Sequence, residues 1–167
     1  HPAALRSLAR TESLRGDHHA ALGHLLAARS MLRELGNESK LQRLDIDLAE
    51  VRIRRGDFDH ARQHLARATD LSGRSRSRHA LLSAWVERDS ERRVDAAQAA
   101  LDACRVDRWR AGAALATLIL VSVGGEGDPK AALAELEAVQ HKDFLGLAAQ
   151  LGFGAGDPPA SARGRTA

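Results

Sequence analysis

The chain has 167 residues, enough for one domain with a buried core. Hydrophobic residues make up 44% and aromatic residues only 3%, with no Tyr, a composition that suits close-packed helices and argues against a β-rich fold. The net charge of +3 is spread along the chain, which argues against a nucleic-acid binder, and no run is long and uncharged enough to cross a membrane.

Helix 1 is expected from about Pro2 to Leu14, since Pro in a first turn gives up no hydrogen bond. Gly16-Asp17 turns the chain. Helix 2 covers about His18 to Leu35 and stops at Gly36-Asn37, two residues that tolerate the left-handed conformation. Ser39 is the expected N-cap of helix 3, which runs to about Arg55 with Leu41, Leu44, Leu48 and Val51 in a helical stripe. Gly56-Asp57 turns the chain again, and helix 4 runs from about Phe58 to Leu71. Helices 5 and 6 follow at about Ser77–Asp89 and Arg92–Cys104, helix 7 at about Arg108–Val123, and helix 8 at about Lys130–Gln140. An amphipathic helix, Lys142–Leu151, has Phe144, Leu147, Ala148 and Leu151 on one face and is suited to covering the end of a stack. The Gly-, Pro- and Arg-rich residues 153–167 are expected to be disordered.

Two stretches match at a fixed offset of 40 residues. Leu8-Ala9, Arg15-Gly16-Asp17, Ala21, His24-Leu25 and Ala28 return as Leu48-Ala49, Arg55-Gly56-Asp57, Ala61, His64-Leu65 and Ala68. Gly127-Asp128, Ala132 and Leu136 repeat the second half of this signature, while Ala97, Leu101 and Cys104 keep only its helical spacing. A helical period in this range marks a helix-turn-helix array, and such arrays bind other molecules more often than they catalyse.

At these residues the chain resembles a tetratricopeptide repeat (TPR) array. The resemblance implies an all-α, right-handed superhelical stack of antiparallel helix pairs, a TPR-like α-solenoid with a short C-terminal capping helix. Repeats are expected over 2–37, 40–73, 77–105 and 108–140, with the cap at 142–151, inside one domain spanning 1–152. Glu12 and Arg52 stand where the family usually has an aromatic, and the spacing is longer than the family's usual 34 residues. Longer repeats closed by Leu-Gly-Asn, as at Leu35-Gly36-Asn37, are similar to those of large bacterial signalling proteins, beside a caspase-like protease domain or an ATPase-type transcription regulator.

The resemblance further implies a non-catalytic protein-protein interaction scaffold that binds a peptide or a neighbouring domain through its inner face. The alternative is a regulatory or sensor segment of a larger signalling protein. No cofactor is implied. The inner face would carry Arg6 and Arg10 from repeat one, Arg43, Ile46, Glu50 and Ile53 from repeat two, and His79 from repeat three. Arg6, Arg10 and Arg43 either converge on an acidic segment, which guanidinium groups match through paired hydrogen bonds, or are solvated charges on amphipathic helices. The cluster Arg74-Ser75-Arg76-Ser77-Arg78-His79 reads as a solvated loop and helix start, or as a site for an acidic partner.

Other chemistry is thinly signalled. His60 and His64 share a helical face, a spacing that holds a metal only with a third ligand, and otherwise reads as two surface positions. Gly124-Gly125-Glu126-Gly127-Asp128 lacks the Gly-Lys-Ser/Thr of a phosphate loop and reads as a turn. Cys104 replaces the Ala of the other repeats and reads as a packed, inert thiol. With a single cysteine no internal disulfide can form, so a reducing, cytoplasmic setting is expected. A start at His1-Pro2 without Met suggests a piece of a longer protein.

Overall fold

A computed structural model describes residues 1–154, apart from the side chain of Asp143. Every regular element among the described residues is an α-helix: α1 (Pro2–Leu14), α2 (His18–Glu34), α3 (Glu38–Arg54), α4 (Phe58–Arg67), α5 (Gly73–Val86), α6 (Ser90–Val106), α7 (Arg110–Ser122), α8 (Pro129–Ala138) and α9 (Lys142–Gln150). The chain forms two compact units, His1–Leu82 and the residues from Ser83 onward. The division falls within α5.

In the first unit, α1 packs on α2, α2 on α3 and α3 on α4. The connections share one geometry. At the end of α1, Gly16 is left-handed (φ 85°), and the Asp17 N–H donates back to the Glu12 carbonyl at 2.9 Å. The Gly56 turn repeats this, with φ 74° and the Asp57 N–H on the Arg52 carbonyl at 2.9 Å. Gly36, between α2 and α3, does the same, with the Asn37 N–H on the Leu32 carbonyl at 3.1 Å. Each is a Schellman turn, which satisfies the last carbonyls of one helix. The next side chain then opens the following helix: Asp17 caps the Ala20 N–H, Asn37 caps Lys40 and Asp57 caps His60. The 40-residue sequence repeat is therefore also a repeat of turn and cap geometry. Its turn recurs at the halfway point too, because Asn can replace Asp as the cap.

The core of this unit joins Ala9, Ala21, Leu22, Leu25, Ala28 and Leu32 to Leu41, Leu44, Leu48 and Val51. Between α2 and α4, α3 buries far more than one stripe, including Ile46 at 1% and Ile53 at 0% exposure.

In the second unit α7 packs on α6, α8 and α9, and is buried along most of its length. Three of its turns follow the same pattern, with the Trp109, Gly125 and His141 N–H groups returning to the Cys104, Leu120 and Leu136 carbonyls. Only Gly124 serves as a glycine there; Arg108 (φ 52°) and Gln140 (φ 50°) take the left-handed position despite their Cβ atoms. Trp109 turns back over α7, where a Cβ on Gly112 would stand 2.4 Å from its Cε3 and 2.9 Å from the Cys104 sulfur. Cys104 is fully buried, as a packed thiol should be. Trp109 also meets Phe144, their ring centroids 5.6 Å apart, and His141 stacks on Phe144 at 4.0 Å.

Several boundaries differ from expectation. Asn37, not Ser39, caps α3, because the left-handed Gly36 starts the helix two residues earlier. Helix α4 ends at Arg67 instead of Leu71, and the Asp70 N–H that would have continued it donates to the buried Gln42 side chain at 2.7 Å. Helix α5 starts at Gly73 and takes in the whole Arg-Ser-Arg-Ser-Arg cluster, which is helical and not a loop. Helix α7 starts at Arg110 because Arg108 is left-handed. Phe153, placed in the expected tail, is 3% exposed and its N–H bonds the Ala148 carbonyl. The rest of that tail, residues 155–167, lies outside the described residues.

Candidate partner-binding face

Arg43, Asp47, Glu50 and Arg54 recur at four, three and four along α3, so they share one face. The neighbouring helices bring arginines to it. From α1, Arg6 meets Asp47, with Nε 2.8 Å from Oδ2. From α5, Arg78 reaches both acids: its Nη1 lies 2.6 Å from Asp47 Oδ1 and its Nε 2.8 Å from Glu50 Oε2. Arg54 holds the other Glu50 oxygen at 2.8 Å. Asp47 and Glu50 are thus clamped between three helices.

The electrostatics follow from this packing. Burial alone would raise the Glu50 carboxyl, but the guanidinium of Arg78, and next that of Arg54, hold it down at about 2. Burial opposes the Arg78 charge, yet Glu50 and then Asp47 raise its pKa overall. Cations remain in excess. The face gathers Arg6, Arg10, Arg43, Arg54 and Arg78 against Asp47 and Glu50. Arg10 lies one turn beyond Arg6 on α1, and Arg43 one turn before Asp47 on α3. Both are exposed, and neither makes an ion pair among the described residues.

The residues expected on the inner face therefore divide into groups. Arg6 and Glu50 are on it but neutralised by neighbours, and Arg10 and Arg43 are on it and open to solvent. Ile46 and Ile53 are core residues that offer a partner no surface, a correction that follows from the burial of α3 on several sides. His79 is half-buried and donates from Nε2 to the Leu65 carbonyl at 2.9 Å, so it ties α5 to α4. Arg78, central to the network, was hidden in a basic cluster that reads as solvated.

A second polar group was not foreseen. Asp45 (4% exposed) and His64 (6% exposed) pair inside the core, with His64 Nδ1 donating to Asp45 Oδ1 at 2.8 Å. Arg29 lies 3.4 Å from the same oxygen. His64 is thus not a surface position, and it does not act with His60, which is exposed and bonds Asp57 at 2.8 Å. Among the described residues no group of three or more His, Cys, Asp or Glu is placed to hold a metal ion, and no helix is long and apolar enough to cross a membrane. Comparison with protein families, with curated proteins and with solved structures finds no match.

Proposed function

We propose that the chain is a protein-protein interaction scaffold built of TPR-like helix pairs, of the kind that stack into a right-handed superhelix. The recurrence of one turn geometry at Gly16, Gly36 and Gly56 supports the repeat character. The bound class is an acidic peptide segment or an acidic patch of a neighbouring domain. One observation carries this: a face on which three arginines, Arg6, Arg54 and Arg78, hold two carboxylates, with Arg10 and Arg43 left exposed on either side of the Arg6–Asp47 pair. An arginine can offer a carboxylate two parallel N–H bonds, so two such side chains can hold an acidic segment at two points.

The test is a pull-down from lysate with the intact chain beside the Arg10→Glu/Arg43→Glu variant, after circular dichroism confirms equal helix content. An acidic partner retained by wild type and lost by the variant is the expected outcome. Equal retention would remove these arginines from the binding surface.

A further inference from the structure

Every carboxylate oxygen of the α3 face is engaged: Asp47 Oδ2 by Arg6 and Oδ1 by Arg78, Glu50 Oε1 by Arg54 and Oε2 by Arg78. Arg10 and Arg43 are left with no acid of their own, and their placement fixes a distance. Short turns join α1 to α2 and α2 to α3, and each helix packs on the next, so α1 and α3 run the same way. Arg6 and Asp47 meet and so mark one level on the two helices. Arg10 stands four residues after that level on α1, and Arg43 four residues before it on α3. At ~1.5 Å per residue, this separates their Cα atoms by about 12 Å along the helix axes. With the axes about 10 Å apart, the diagonal from Arg10 to Arg43 is about 15 Å.

We propose, resting on the reading of this face as an acidic-partner site, that the segment it takes is extended and carries acidic residues at i and i+4. It crosses from α1 to α3 over the Arg6–Asp47 pair. In an extended chain residues i and i+4 point the same way and lie about 13 Å apart, which leaves a gap that side chains close. Residues i and i+2 are only about 7 Å apart, and adjacent residues point to opposite sides. An α-helix would need its acids roughly ten residues apart to cover the same span. A helix of that length docks through apolar anchors, and the face has none between the two arginines. Ile46 and Ile53 are buried, Leu8 is two residues from both Arg6 and Arg10 and so on another side of α1, and Leu14 lies a turn beyond Arg10. The middle of the segment passes over a pair that is already neutral, so a third acid there gains nothing. Exposed Lys40, one turn before Arg43, makes the α3 end the more basic.

The probes are three peptides with two glutamates each: a Gly/Ser peptide with Glu at i and i+4, a Gly/Ser peptide with the two adjacent, and an Ala-rich helical peptide with Glu at i and i+11. Each is titrated at low salt into the intact, nitrogen-15-labelled chain, and the arginine Nε–H signals are followed by NMR. The i, i+4 peptide should move the Arg10 and Arg43 signals on one binding curve, about tenfold tighter than the adjacent pair, because only it engages both arginines at once. Arg10→Gln, with unchanged circular dichroism, should weaken that peptide about tenfold and bring it level with the adjacent pair. Equal affinity for the two spacings, with binding still lost in Arg10→Glu/Arg43→Glu, would overturn the extended segment while leaving the acidic partner in place. Tightest binding of the helical peptide would overturn it in the same way. No movement of either arginine signal with any peptide would overturn both readings.

Discussion

Replacing Arg78 by Met keeps much of the side-chain stem but removes the guanidinium that bridges Asp47 and Glu50. Each acid retains one arginine, Arg6 for Asp47 and Arg54 for Glu50, so neither is left bare. Removing one partner of a fully buried pair costs about 3–5 kcal/mol. Here the Arg78 side chain is 30% exposed, and solvent screening brings the expected loss to about 2 kcal/mol at pH 7. The loss should depend on pH. The Glu50 carboxyl is lowered from its ordinary 4.5 to about 2 in the folded protein, so it adds stability above pH 4.5 and loses it as pH falls toward 2. That lowering is worth on the order of 3 kcal/mol when complete, shared between Arg78 and Arg54. Urea unfolding followed by circular dichroism at pH 7 and near pH 2 measures both quantities. The wild type should lose stability across this range, and its advantage over Arg78→Met should shrink to about 1 kcal/mol or less at the acid end. An advantage of equal size at both pH values would show that Arg78 acts through its stem alone and would refute the electrostatic clamp.

Other substitutions test the remaining packing. Gly112→Ala places a methyl against Trp109 and Cys104, and should destabilise by about 1–2 kcal/mol despite the better helix propensity of Ala, with a change in Trp fluorescence. Arg108→Gly relieves a left-handed arginine and should raise stability by about 0.5 kcal/mol in the same urea assay, after the added chain entropy is offset. Asp17→Ala removes the cap on the Ala20 N–H and should cost about 1 kcal/mol, measurable as a lower urea midpoint.

Helices were readable wherever punctuation was chemical. Gly16-Asp17, Gly36-Asn37 and Gly56-Asp57 announce the end of one helix, and the structure follows them closely, but their second role as caps was not read, and Ser39 was expected where Asn37 serves. The second unit was harder to delimit because Arg108 and Gln140 occupy the left-handed position, where their residue types give no warning. The partner-binding face was half legible. The family resemblance puts Ile46 and Ile53 on the inner face, and this misplaces them, because α3 is packed from more than one side and buries both. The Asp45–His64 pair joins residues on two different helices, and no local pattern couples them. Arg78 sits among other arginines and serines, and only the approach of α5 to α3 separates it from its neighbours.

The most direct test of the binding reading is the affinity of the intact chain for a labelled glutamate-rich peptide, measured by anisotropy at low salt for wild type, Arg6→Gln and Arg10→Glu/Arg43→Glu. Wild type and Arg6→Gln should bind alike, because Arg6 already serves Asp47, and the double reversal should abolish binding. Binding that survives the double reversal, or that disappears with Arg6→Gln alone in a folded protein, would contradict the account.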